Sequence, residues 1–65
     1  MKNQKNQLIL DHLRESRTPI SAQDLARLFD ASLGHTRSVL VWAMNHLDNV
    51  RRAENVSPYE YYWAA

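Results

Sequence analysis

Two helical patterns of apolar residues lie next to each other in residues 20–47, with only three residues between them. Leu25, Leu28 and Phe29 recur at the spacing of one helix face, and a second, longer series begins after residues 30–32. We predict two helices joined by a three-residue turn, the second helix being much longer than the first. The remaining elements must be arranged around this pair.

Residues suited to capping mark where both helices begin. Ser21 stands where an N-cap belongs, and Asp24 follows three residues later, as in a capping box. Ser32 is suited to cap the second helix in the same way. These signals predict a first helix over residues 22–29 and a second over residues 32–47.

The second helix has two unlike faces when its residues are placed at about 100° intervals. The residues that we expect to face the core are Thr36, Val39, Leu40, Ala43, Met44 and Leu47. The opposite face carries Gly34, Ser38, Val41 and Asn45. Arg37 lies on one border of that outer face, and His35 and Trp42 lie on the other. The first turns of the helix therefore offer small, hydrogen-bonding and cationic groups to a partner.

Further elements precede the helix pair. Residues 4–16 predict a leading helix with Ile9, Leu10 and Leu13 on a common side. Residues 18–20 follow a short connector and are suited to a brief strand.

Beyond residue 47 the helical pattern gives way to an alternating one. Residues 50–54 and 59–63 are rich in β-branched or aromatic side chains. The Asn-Val-Ser-Pro stretch between them favours a turn, so we predict a hairpin. Tyr59, Tyr61 and Trp63 share one face of its second strand, which we expect to be buried against the helices.

This order of elements resembles the small winged helix-turn-helix DNA-binding domains of bacterial, plasmid and phage transcription regulators. The likeness is carried by residues 20–29, 30–32, 36–47 and the ending Tyr61-Tyr62-Trp63, and it covers the chain from about residue 7 to residue 63. The small fimbrial-operon regulators of enteric bacteria have a similar size and a similar aromatic last strand. The resemblance implies an α+β fold in a single domain, residues 1–65, with three helices and a C-terminal β-hairpin wing.

One feature departs from that family pattern. Many such domains have a Gly between the second helix of the pair and the wing, whereas the link here, residues 47–50, has none. Asn49 is the only residue of this link that is well suited to a left-handed C-cap.

The resemblance implies that the helix over residues 32–47 reads the major groove of double-stranded DNA, while the 50–63 hairpin contacts the backbone. The residues expected at this interface are small, polar, cationic or aliphatic: Ser32, Gly34, His35, Arg37, Ser38, Val41, Arg51 and Arg52. Arg51 and Arg52 alternate across a strand, so we expect one of them to face DNA and favour Arg52.

Val41 and Trp42 leave a second function open. Both fall on the outward side of the helix, where a DNA-reading surface rarely places a large apolar group, and an exposed Trp is a frequent interface anchor. With Asn45 they would form the contact of a homodimer or a partner protein, in a winged helix that docks protein rather than DNA. Alternatively, Trp42 packs against the hairpin or the first helix and has no partner.

The charge balance gives limited support to the DNA-binding function. Eight Lys and Arg against seven Asp and Glu leave a net charge of +1, far from strongly basic. A basic surface must therefore be local. It would be built from Lys2 and Lys5, near the start of the leading helix, together with Arg37, Arg51 and Arg52. We expect weak DNA binding by a single copy and a stability of roughly a few kcal/mol, both of which oligomerisation would increase.

The chain offers little to catalysis or metal binding. It has no Cys and one Gly, and of its three His residues, His35 and His46 would lie about 16 Å apart along one helix, too far to share a metal. We expect no enzyme activity, cofactor or metal. No segment resembles a signal peptide or reaches the roughly 20 apolar residues of a membrane helix, so we expect no membrane contact and a cytoplasmic location.

Overall fold

Three helices and one small antiparallel sheet make up the protein, in a computed structural model that describes residues 4–64. The elements follow in the order α1 (Gln4–Ser16), β1 (Ile20–Ser21), α2 (Ala22–Leu28), α3 (Leu33–His46), β2 (Val50–Ala53) and β3 (Glu60–Trp63). The predicted α+β class and the predicted order of elements are confirmed. Lys2, one of the expected basic residues, lies outside the described residues.

The last strand lies at the centre of the sheet. β3 pairs antiparallel with β1 on one side and with β2 on the other. Ser21 is the partner of Glu60 in the first pair, and Val50 is the partner of Trp63 in the second. The brief strand expected at residues 18–20 is found at Ile20–Ser21, since Pro19 has no N–H to contribute to a ladder.

The two hairpin strands are shorter at the turn than the sequence predicts. Their pairing stops at Ala53 and Glu60, and Tyr59 lies in the connecting segment, directly after a proline that cannot donate to the ladder. The prediction that Tyr59 is buried with the other aromatic residues was therefore wrong, because its side chain is exposed. Tyr61 is buried, and Trp63 packs against the core, as predicted.

The core forms where the three helices meet the sheet. Its largest fully buried side chains are Ile9, Leu13, Leu25, Thr36 and Leu40, all of them on faces predicted to be apolar. The hydroxyl of Thr36 donates to the carbonyl of Ser32 at 2.9 Å, so burial leaves it hydrogen-bonded. Met44 and Leu47, also expected in the core, are half-buried at its edge, because α3 ends at His46 and the chain turns toward β2.

The turn between α2 and α3 places Asp30 in the left-handed region, with a φ of 52°. The N–H of Asp30 donates to the carbonyl of Arg27 at 3.3 Å, and the N–H of Ala31 donates to the carbonyl of Ala26 at 2.8 Å. These two bonds form a Schellman motif, which ends α2 one residue earlier than predicted. Asp is one of the few residues besides Gly that adopt this conformation routinely.

Asp30→Gly is expected to stabilise the protein by up to about 1 kcal/mol, because Gly has no Cβ to oppose a left-handed φ. Asp30→Ala is expected to destabilise it by about 1 kcal/mol, since Ala adopts a left-handed φ less readily than Asp does. Nζ of Lys5 donates to the backbone carbonyl of residue 30 at 3.0 Å, so both variants can keep this hydrogen bond. Urea titration measures the two changes, and equal destabilisation by Gly and Ala would contradict the conformational argument.

The end of α3 does not use Asn49 as its cap. Leu47 is the C-cap, in an extended conformation with φ −121° and ψ 131°. Within residues 4–64, positive φ values occur at Arg17 and Asp30, so Asn49 does not form the left-handed C-cap to which it is suited. Nδ2 of Asn49 instead donates to the carbonyl of Ala64 at 2.9 Å, and the carbonyl of Asn49 accepts from the N–H of Ala64 at 2.7 Å. Asn49 therefore holds the chain just after β3.

Candidate nucleic-acid interface

Serine side chains fix where α2 and α3 begin. Oγ of Ser32 accepts the N–H of His35 at 3.1 Å, and Oγ of Ser21 accepts the N–H of Asp24 at 3.1 Å. Both predicted N-caps are confirmed. The carboxylate of Asp24 pairs with Arg27 at 3.5 Å, on the outside of α2. The first turn of α3 is thus capped by Ser32, whose side chain is itself exposed.

α3 exposes one continuous face to its surroundings. Its exposed members include Gly34, Arg37, Ser38, Val41, Trp42 and Asn45, which belong to the face predicted to point outward, and Leu33 and His46 are exposed at the two ends of the helix. A Cβ added at Gly34 would meet nothing within 4 Å, so the fold itself does not require glycine there. The missing side chain leaves the backbone of the first turn open to a close approach from outside.

The exposed face of α3 carries no negative charge. All seven Asp and Glu residues lie outside Leu33–His46. Arg37 is the only Lys or Arg of this helix, and within residues 4–64 it forms no hydrogen bond or ion pair. Arg14, Arg27 and Arg52, by contrast, are each paired with a carboxylate. An anion that approaches α3 therefore meets a guanidinium whose charge is not compensated by the protein.

A shallow groove runs along this face. It is lined by Arg37, Ser38, Val41, Trp42, Asn45 and His46. The ring of Trp42 stacks on that of His46, with centroids 4.6 Å apart and planes at 17°, and Nδ1 of His46 lies 2.8 Å from the carbonyl oxygen of Trp42. Trp42 is 50% exposed, so it is not buried against the hairpin or the first helix. Its ring partner is one turn further along its own helix.

The loop of the hairpin lies beside the start of α3. The residues that line the narrow cleft between them are Ala22, Gln23, Leu33, Arg37, Pro58, Tyr59 and Tyr61. Arg37 borders both this cleft and the groove along α3. Tyr59 is a surface residue of the site that sequence reasoning missed. The signal for it was the preceding Pro58, since proline marks a turn rather than a ladder position.

The two arginines of β2 have different surroundings. Arg52 forms an ion pair with Glu54, at 2.6 Å between Nη2 and Oε2, and its guanidinium stands 4.9 Å from the ring centroid of Tyr59. The hydrogen bond with Glu54 raises the pKa of Arg52 above its ordinary value. Arg51 is exposed, and its Nε donates to the carbonyl of Asp48 at 3.2 Å. Arg51 has no ion pair within residues 4–64, so its charge is the less compensated of the two.

His35, one of the expected DNA-contacting residues, is engaged inside the protein. Its ring is half-buried, and Nε2 lies 2.6 Å from Oδ1 of Asn6 on α1. The backbone N–H of His35 is taken by the cap at Ser32. His35 therefore connects α3 to α1, a role that sequence reasoning missed because Asn6 lies 29 residues earlier in the chain.

Within residues 4–64, no group of three or more His, Asp or Glu side chains is placed to hold a metal ion. No helix in this part of the chain combines the length and the apolar character needed to cross a membrane. Comparison with protein-family models, with curated proteins and with solved structures finds no match for this chain. The features of the structure that bear on function are the exposed surface of α3 and the hairpin beside it.

Proposed function

We propose that this protein is a winged helix-turn-helix transcription regulator that binds specific sites in double-stranded DNA. The observation that carries the proposal is the exposed face of α3, which has no carboxylate and presents an unpaired Arg37 in its first turns. An α-helix about 10–12 Å across enters the major groove, which is about 12 Å wide. The N-terminal residues of such a helix are the ones that reach the base edges.

Arg37 is the main base-reading residue in this proposal. Its guanidinium is suited to donate two parallel hydrogen bonds to O6 and N7 of guanine. Ser38 is exposed next to it and can form a hydrogen bond with either kind of base pair. Ser32 and Gly34 lie at the N-terminus of α3, where the backbone N–H groups and the helix dipole favour a phosphate, and the missing side chain of Gly34 permits a close approach.

The β2–β3 hairpin acts as the wing and supplies phosphate contacts. Arg51 is exposed and has no carboxylate partner within residues 4–64, whereas the charge of Arg52 is already compensated by Glu54. We therefore favour Arg51 for the phosphate contact, which reverses the preference drawn from the sequence. Such contacts position the protein on the duplex and add affinity that is independent of sequence.

The low net charge of +1 bears on how many copies bind. One copy makes few phosphate contacts, and the affinity of such an interface rises with the number of phosphates neutralised. Two copies on half-sites about 34–36 Å apart, one helical turn of DNA, would double those contacts. We propose that the regulator occupies paired half-sites.

Selection from a pool of random DNA duplexes tests the DNA-binding function. We expect a short site to be enriched, and a mobility shift at about 0.15 M salt should show it bound on the order of 1,000-fold more tightly than a scrambled duplex. Equal affinity for the enriched and scrambled duplexes would exclude a sequence-specific regulator.

Arg51→Ala is expected to weaken binding to the selected and the scrambled duplex by the same factor. The slope of log K against log salt concentration should flatten by about 0.9, which corresponds to one lost phosphate contact. Arg52→Ala is the matched control, expected to change the slope less because that guanidinium is paired with Glu54. A larger change with Arg52→Ala, or an altered base preference with Arg51→Ala, would show that the role of the hairpin is different.

A protein-docking winged helix is the second candidate function. The exposed apolar surface of α3 favours it, since Val41 is 44% exposed and Trp42 is 50% exposed, with Asn45 exposed beside them. In that function, these three residues contact a second copy or a partner protein. No DNA sequence would then be enriched from the random pool, so the same selection separates the two functions.

A further inference from the structure

Val41 is an exposed apolar residue of α3 that does not contribute to the core. It lies at the middle of the exposed face of α3, is 44% exposed, and does not belong to the core or to the residues packed against it. A β-branched residue is also a weaker helix former than most straight-chain residues. Its neighbours along the groove include Arg37 one turn before it and Asn45 one turn after it, both able to form hydrogen bonds. Val41 therefore lies between two groups that can form hydrogen bonds, with the ring of Trp42 in the same groove.

The chemistry of base edges suggests what fits this side chain. Val41 has no donor or acceptor, so it cannot satisfy the amino or carbonyl groups that most base edges present in the major groove, and covering them would leave them without partners. Thymine is the base that presents a methyl group there. The missing carboxylates and the unpaired Arg37 on the same face are compatible with an approach by the polyanionic duplex.

We propose that Val41 determines specificity by packing on the 5-methyl group of a thymine, an inference that rests on the proposed DNA-binding function. Arg37 lies four residues before Val41, about 6 Å along the helix axis. Base pairs are spaced by about 3.4 Å, so the two side chains reach positions about two base pairs apart. The half-site therefore combines a guanine read by Arg37 with a thymine read by Val41.

Deoxyuridine provides the test, because it differs from thymidine only in lacking the methyl group. Each thymine of the selected duplex is replaced in turn, and affinity is measured for the parent protein and for Val41→Ala. We expect replacement of the equivalent thymine in either half-site to weaken binding of the parent about three- to tenfold, which corresponds to losing a buried methyl contact. The same replacement should weaken binding of Val41→Ala clearly less, because the shorter Ala side chain covers less of the methyl group. Leu8→Ala, which truncates an exposed apolar residue of α1, is the control and should keep the sensitivity of the parent.

Several outcomes would overturn the inference. A parent that tolerates deoxyuridine at every position, a selected site without thymine, or a Val41→Ala variant that retains the full deoxyuridine penalty would each exclude a thymine contact by Val41. The first two leave the DNA-binding function standing, because a specific site would still have been selected. If no site is selected, the DNA-binding function fails and this inference falls with it.

Sedimentation of parent and variant without DNA provides the remaining check: dissociation of a dimer by Val41→Ala would assign the side chain to protein contact instead.

Discussion

Leu25→Ala is expected to leave most of the protein unfolded at room temperature. Leu25 is fully buried, at 0% exposure, in the cluster that joins α2 to α3 and the sheet. Truncating a buried Leu to Ala costs about 2–5 kcal/mol, through lost burial and the cavity left behind. A single core of this size provides roughly 3–5 kcal/mol in total, so the loss is comparable with the whole stability. Urea titration followed by circular dichroism measures the change.

The chain offers a matched control three residues later in the same helix. Leu28 is 54% exposed, so Leu28→Ala removes the same atoms from α2 and should change the stability by less than about 0.5 kcal/mol. Leu40→Ala should behave like Leu25→Ala, since Leu40 is also fully buried, whereas Leu47→Ala should cost less because Leu47 lies at the edge of the core. A cooperative melt of Leu25→Ala close to that of the parent would show that the core is arranged differently.

Arg37→Ala is expected to weaken binding to the selected duplex roughly 5- to 150-fold, which corresponds to about 1–3 kcal/mol for a bidentate base contact. The fold should be unaffected, because Arg37 is exposed and forms no hydrogen bond or ion pair within residues 4–64. Binding to the scrambled duplex should weaken much less. Mobility shifts on both duplexes measure the difference. An equal loss of affinity for the selected and the scrambled duplex would show that Arg37 contacts a phosphate and not a base.

Two further variants define what Arg37 does. Arg37→Lys keeps the positive charge but loses the planar pair of donors, so it should retain the salt dependence of the parent while losing discrimination. Arg14→Ala removes an arginine of α1 that is paired with Asp11 at 3.1 Å, and it should bind both duplexes as the parent does. Full discrimination by Arg37→Lys would contradict the bidentate contact.

The fold was predictable from the sequence wherever its causes are local. Ser21 and Ser32 cap helices within three residues of themselves, and the core faces follow from the helical repeat except at Leu28, which shares the apolar repeat of α2 but is exposed. The hydrogen bond of Asn49 to Ala64 was not predicted, because the two residues are 15 positions apart and meet only after the sheet has formed. Tyr59 was misassigned because strand alternation does not reveal where pairing stops.

The site was predictable as a surface but not as a set of contacts. The exposed face of α3 follows from the spacing of residues along one helix, and Arg37 was identified on its border. The engagement of His35 with Asn6 joins residues that are far apart in the sequence, so no local pattern could indicate it. The pairing of Arg52 with Glu54 was within reach of local reasoning, since both residues lie on one side of the chain near the hairpin turn.

Ser21 belongs to the sheet and to a helix cap at once. It pairs with Glu60 of the central strand, and its hydroxyl holds the first turn of α2. No connecting segment lies between β1 and α2, and β3 is paired on both sides, so the hairpin and the helix pair share one frame. A surface built on such a frame loses little conformational entropy on binding, which favours affinity that depends on shape match rather than on induced rearrangement. For the DNA-binding function proposed above, selectivity would then come from a backbone arrangement that the fold sets before the duplex is bound.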